Sequence, residues 1–162
     1  VEFPVRRYEI IGIETRRKMP TDDRQSAFSE IYRTAYWGKE HLSGVGSTVA
    51  ATAPVRAVIE KIVKEFGIRS IVDVACGDMV WMPLVLDNLR RSGHPIEFTG
   101  CGIVPSLIEQ HARAYPGERF KHLDFVAQPI PSGELILCRE VLQHLPVEEQ
   151  GQLLQLPAQQ RI

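Results

Sequence analysis

The sequence predicts an α/β fold built on a parallel sheet, and three observations carry that reading. Short apolar or β-branched segments alternate with segments of helical period. The first compact strand runs straight into a glycine turn and then a helix. The intervals between strands leave room for a helical crossover each time, as parallel pairing requires.

The elements follow in order. Residues 1–35 form an N-terminal extension in which Tyr8–Ile13 reads as a short strand and Pro20 as a breaker. Ser26–Ala35 reads as a helix with Phe28, Ile31 and Tyr32 on one face, and the glycine- and serine-rich stretch Gly38–Ser47 as a loop. From Pro54 to Phe66, Val55, Val58, Ile59, Ile62, Val63 and Phe66 make an apolar helical stripe, closed by Gly67. Ser70–Ala75 is a strand, Cys76-Gly77-Asp78 a turn and Met82–Arg91 a helix. Glu97–Cys101, Phe120–Leu123 and Glu134–Cys138 are further strands; Ser106–Tyr115 and Pro146–Leu156 are helices. Residues 36–162 thus form one domain, in keeping with a chain of 162 residues.

With 44% hydrophobic and 24% charged residues the composition is that of a globular protein. A net charge of −1 gives no global field toward nucleic acid, and the cluster Arg6, Arg7, Arg16, Arg17, Lys18 reads as a solvated face. No apolar run approaches the ~20 residues of a membrane span. Three cysteines are too few for a disulfide framework, so a reducing, cytoplasmic setting is expected. No signal peptide is visible and the first residue is Val, so either a leader has been removed or the sequence starts inside its gene.

In an open parallel sheet, ligands sit beyond the carboxyl ends of the strands where strand order reverses. The exit of the first strand, Ile71-Val72-Asp73-Val74-Ala75-Cys76-Gly77-Asp78, is therefore the place for a site. Gly77 would let backbone N–H groups approach an anionic group beside a helix N-terminus. The bland alternative is a strand-to-helix turn with Asp78 as a cap.

The stretch resembles the first motif of class I S-adenosylmethionine-dependent methyltransferases, and the resemblance continues in order along residues 36–147. Cys76-Gly77-Asp78-Met79-Val80-Trp81-Met82 is similar to the Cys-Gly-Asp-Phe-Asn-Trp-Met turn of one subgroup. Gly100–Ile108 resembles its Gly-Ala-Asp-Ile-Val-Pro-Glu-Leu-Ile, and Leu135–Leu145 its Leu-Ile-Leu-Cys-Arg-Asp-Val-Leu-Val-His-Leu. Leu123-Asp124-Phe125 resembles its third-strand exit, and Trp37-Gly38 with Ser43–Ser47 a loop before the fold. The resemblance implies a Rossmann-like sheet and S-adenosylmethionine as cofactor, with methyl transfer to an O or N acceptor. It implies that Asp73, Ala75, Cys76, Gly77 and Asp78 hold the methionine end and Gly102 and Ile103 border the ribose. Asp124 and Phe125 would meet the adenine, and Leu137, Cys138, Arg139 and Glu140 would line the reactive edge.

Two departures stand out. The acid that grips both ribose hydroxyls is replaced by Gly102, which would weaken binding ~10–1000-fold. The sequence also ends after the fourth strand, so strands five to seven of the family are expected to be missing. That would leave the fourth strand as an open edge, expected to be covered by Tyr8–Ile13 or by a second subunit in a homodimer.

Glu140 and His144 stand four residues apart and would share a helical face, which makes them the candidates for acid–base chemistry or for shaping the pocket. Trp37 and Trp81 would wall a pocket or pack in the core. Cys76, Cys101 and Cys138 each end a strand and read as small buried thiols near the ligand edge; a zinc site is not expected from their spacing. Two other functions compete with methyl transfer. One is an inactive, truncated relative acting as a binding or assembly module. The other is a nicotinamide oxidoreductase, which would need a Gly-x-Gly-x-x-Gly turn that Cys76–Met82 lacks.

Overall fold

The computed structural model of the chain describes residues 21–147, 149 and 150. The order is helix α1 (Thr21–Thr34), a 3-10 turn (Val45–Ser47), α2 (Ala53–Phe66), β1 (Ser70–Asp73), α3 (Met82–Arg91), β2 (Glu97–Gly102), α4 (Pro105–Ala114), β3 (Arg119–His122), β4 (Leu135–Leu137) and a second 3-10 turn (Leu142–His144).

All pairings are parallel, in the order β3-β2-β1-β4. The chain builds outward from β1 to β3, then returns across the sheet to place β4 on the other side of β1. Strand order therefore reverses between β1 and β4, and the exits of those strands diverge into a crevice. Asp73, the last residue of β1, is in register with Gly100 of β2 and Leu137 of β4. Among the described residues β4 lies at the edge of the sheet, with β1 as its partner.

The helices form for local reasons. In α3, Met82, Val85, Leu86 and Leu89 are buried at i, i+3, i+4 and i+7, Pro83 sits in the first turn, and Arg90 and Arg91 close the last turn. α2 buries Ile59 and Val63 and ends at Gly67, whose φ of 64° is the left-handed conformation of a helix stop. Along β1 the side chains alternate: Ile71 joins Phe98, Leu89, Val85 and Val63 on one face, while Val72 and Val74 join Cys101, Leu123 and Ile130 on the other. Fully burying side chains such as Leu89 and Phe98 stabilises by about 1.5–3 kcal/mol each.

Most expected elements are present. α1 starts five residues before the expected Ser26, at Thr21. β1 ends at Asp73 rather than Ala75, because the chain turns out of the ladder there. The expected helix Pro146–Leu156 extends beyond the described residues; of it, residues 147, 149 and 150 are helical. Tyr8–Ile13 and the basic cluster at residues 6–18 also lie outside them. No helix among the described residues is long and apolar enough to cross a membrane.

Candidate functional site

A cleft of about 330 Å³ opens at the carboxyl ends of the strands. Its base is made by the strand exits, and its roof by α1 and the loop that follows, residues 35–47. Of the residues singled out in the sequence, Asp73, Ala75, Cys76, Gly77, Asp78, Gly102, Ile103, Asp124, Phe125, Arg139, Glu140 and His144 line it, as do Trp37 and Trp81. Cys138 does not: it is exposed at the exit of β4, which corrects the expectation of three buried thiols. Cys101 is buried in the core behind the cleft.

At the base, Asp73 is 5% exposed. Burial pushes its carboxyl up to about 7, against the pull of the Ala75 N–H and the Arg139 guanidinium. The Cys76 thiol is pushed well up by burial and by the neighbouring Asp73 carboxylate, which keeps it neutral and unreactive.

The turn after β1 is held from both sides. Gly77 has φ 58°, and a side-chain carbon there would lie 2.6 Å from Ser43 Oγ, so only glycine fits. His111 of α4, 3% exposed, donates through Nε2 to the Gly77 carbonyl at 2.9 Å. From the roof, the Ser43 N–H donates to Asp78 Oδ2 at 3.0 Å and the Asp78 N–H donates to Ser43 Oγ at 2.9 Å. Tyr32 bonds Ser43 Oγ at 2.9 Å. Asp78 thus latches the roof; the first helical turn of α3 has no side-chain cap.

At the β3 exit, Asp124 is 4% exposed and forms an ion pair with Arg24 of α1. Its other oxygen accepts the Val126 N–H at 3.0 Å. Arg24 also donates to both carboxylate oxygens of Glu149 at 3.0 Å. Gly102, at the end of β2, offers no polar side chain, and Ile108 fills the neighbouring space: a carbon added to Gly102 would lie 3.2 Å from Ile108 Cδ1. Glu118 is no substitute, since it pairs with Arg90 at 2.5 Å.

At the β4 exit, Arg139 donates to the Gly46 carbonyl at 2.8 Å, lies 3.5 Å from Glu140 Oε1 and stands 6.0 Å from the centroid of the Trp81 ring. Glu140 has φ 56° and precedes the 3-10 turn, so it does not share a helical face with His144; the expected geometry is corrected here. The two are linked instead through Gln143, whose Nε2 donates to Glu140 Oε2 at 2.9 Å and lies 3.5 Å from His144 Nε2. Burial lowers the His144 pKa below 6.5, and the Glu140 carboxylate opposes that in part. The His144 ring packs 5.3 Å from Trp37 and 6.2 Å from Phe28, and Trp37 lies 6.1 Å from Tyr32.

Arg24 and His111 were not legible as site residues, since neither sits in a motif; Gln143 falls within Leu135–Leu145 but stands where the resembling motif has an apolar Val, so nothing marked it as a polar site residue. Phe28 and Tyr32 had a signal, their shared helical face, which turns out to look into the cleft. Among the described residues no group of His, Cys, Asp and Glu is arranged to hold a metal ion.

No protein-family model matches the chain, and no curated protein does. Solved structures do. The sugar N-methyltransferase KedS8 from Streptoalloteichus sp. ATCC 53650 aligns over 99% of this chain and 56% of its own, at 16% identity and TM-score 0.53. A Listeria monocytogenes protein (lmo1582), assigned to the class I S-adenosylmethionine-dependent methyltransferases, aligns over 73% and 40%, at 17% identity and TM-score 0.49. The CMeT domain of the citrinin polyketide synthase aligns over 52% and 26%, at 21% identity and TM-score 0.44. The chain thus spans little more than half the length of KedS8. By its strand order and its overlay on KedS8, the chain has a Rossmann-like α/β fold like that of this methyltransferase.

Proposed function

We propose that the cleft binds S-adenosylmethionine and that the chain serves methyl transfer to an O or N acceptor. One observation carries this reading. A buried acid, Asp73, and a guanidinium, Arg139, line the same cleft beside a glycine turn, at the switch point of a methyltransferase-like sheet. Such a pair suits an α-amino acid zwitterion, the ammonium at Asp73 and the carboxylate at Arg139 and the turn N–H groups.

The nucleoside end fits less closely. Gly102, Ile103 and Ile108 offer the ribose apolar contact, and Phe125 a face for the adenine, while the Asp124 carboxylate already holds Arg24. In this reading Ala75, Cys76, Gly77 and Asp78 shape the floor under the methionine end and Cys138 stands at the margin. The bound cofactor would supply a methyl group on a sulfonium, whose departure leaves a neutral thioether. The chain's part is to orient both reactants and exclude water under the roof.

Gly102 and the Arg24–Asp124 ion pair favour a second reading, a binding module without turnover. Calorimetry with S-adenosylmethionine and S-adenosylhomocysteine tests the first claim: saturable heat is expected, and no heat at millimolar ligand overturns it. If both ligands bind, turnover is read by S-adenosylhomocysteine release in the presence of an acceptor.

A further inference from the structure

The roof end of the cleft differs in chemistry from its base. Phe28 and Tyr32 of α1, Trp37 of the loop and His144 of the second 3-10 turn form one aromatic cluster, with centroid separations of 5.3–6.3 Å, and all four line the cleft. The polar groups that accompany them on the β4 side are Glu140, Gln143 and Arg139. From this arrangement we infer that the aromatic cluster is the acceptor subsite and that its occupant is a phenol, a planar ring carrying a hydroxyl group. The inference rests on the cofactor reading above.

Three physical points select a phenol. Ring faces and edges of Trp37, Phe28 and Tyr32 give a flat aromatic group offset and edge contacts that a saturated ring cannot make. An ammonium would be disfavoured, because the one carboxylate at that end, Glu140, already has Arg139 at 3.5 Å and the Gln143 amide at 2.9 Å. A neutral hydroxyl, by contrast, finds an acceptor in the His144 imidazole, which lines the cleft against Trp37 and Phe28 and whose partial burial favours its neutral form. His144 is only partly buried, and the rest of its surface is open to solvent, so a proton it takes can leave to water.

The step balances. The phenol oxygen forms its bond to the methyl carbon as the carbon–sulfur bond breaks, with that electron pair staying on sulfur. The hydroxyl proton passes to the His144 imidazole and then to solvent.

The test has a binding arm and a transfer arm. In ¹⁵N-labelled protein without cofactor, 2-naphthol is titrated against its saturated counterpart 2-decalol while the Trp37 and Trp81 indole N–H signals are followed. The naphthol should shift Trp37 saturably and bind at least about five-fold more tightly than the decalol. Phe28→Leu should weaken naphthol binding several-fold, with the rest of the amide spectrum unchanged to show that the fold is intact. Equal binding of the two alcohols, or a Trp37 signal that does not respond, overturns the inference. With S-adenosylmethionine added, 2-methoxynaphthalene should form, and His144→Gln should cut that rate about 100-fold or more while naphthol affinity stays within a few-fold. A variant rate equal to wild type overturns the role of His144. If calorimetry detects no cofactor binding, the cofactor reading fails and the acceptor role with it, whereas naphthol binding remains a separate result.

Discussion

Ser43 and Asp78 hold each other by two reciprocal hydrogen bonds, each backbone N–H donating to the other's side-chain oxygen at 3.0 and 2.9 Å. The pair ties the roof loop to the turn after β1 without contribution from α3. Ser43→Ala and Asp78→Ala should each cost about 1–2 kcal/mol, and the double variant should cost less than their sum, with a coupling on the order of 1 kcal/mol. Urea unfolding of the four proteins of the cycle measures it. Strict additivity would mean that the two residues act independently.

Arg24 is 6% exposed between two carboxylates, Asp124 and Glu149, themselves 4% and 3% exposed. Arg24→Met leaves two buried acids facing one another without their cation. The expected loss is about 3–5 kcal/mol, because the two carboxylates are left buried without their counter-charge. Denaturant titration of the variant against the wild type measures it, and a loss below about 1 kcal/mol would mean that the ion pairs contribute little.

The pH dependence of stability should carry the mark of Asp73. Its carboxyl titrates near 3.8 when unfolded and at about 7 when folded. Between those values the folded state keeps a proton that the unfolded state has lost. Asp73 therefore lowers stability progressively as pH rises from about 4 to about 7, and the penalty is complete above that. For Asp73→Asn the decline should be smaller, by up to roughly 4 kcal/mol between pH 4 and pH 8. Parallel profiles for the two proteins would rule this out. Binding of a cationic group at Asp73 should also release a proton near pH 6, visible as a binding heat that depends on the buffer.

Gly102→Asp would place a carboxylate where the cleft wall is apolar. The new side chain begins 3.2 Å from Ile108 Cδ1, so Ile108 must give way, at a cost of about 1 kcal/mol in stability. S-adenosylmethionine affinity should rise about ten-fold as the ribose hydroxyls gain an acceptor. Calorimetry on the variant decides it: unchanged affinity would mean that the ribose does not lie at this position.

How far the molecule is readable from its sequence depends on the range of the interaction. α3 has both ends where expected, Met82 and Arg91, because its apolar period, Pro83 and terminal arginines are all local signals. The same holds for the stop at Gly67 and the turn at Gly77. The Glu140–His144 spacing misled, since i, i+4 places two side chains together only within a helix, and Glu140 adopts φ 56°. Burial of Cys138 depends on what flanks β4, which lies at the edge of the sheet among the described residues, and no local pattern encodes that. The Arg24 ion pairs are invisible in sequence for the same reason: an arginine in an amphipathic helix ordinarily faces water.

The roof contacts also impose an order of assembly. Arg24 lies 100 residues from Asp124 and 125 from Glu149, and Ser43 lies 35 from Asp78. The Ser43 latch can close once β1 and its turn have formed, while the Arg24 latch must wait for nearly the whole described chain. During synthesis the base of the cleft is therefore in place well before its far end is shut, and a nascent chain halted short of Glu149 would carry a formed turn at Gly77 beneath a helix still lacking one of its two anchors.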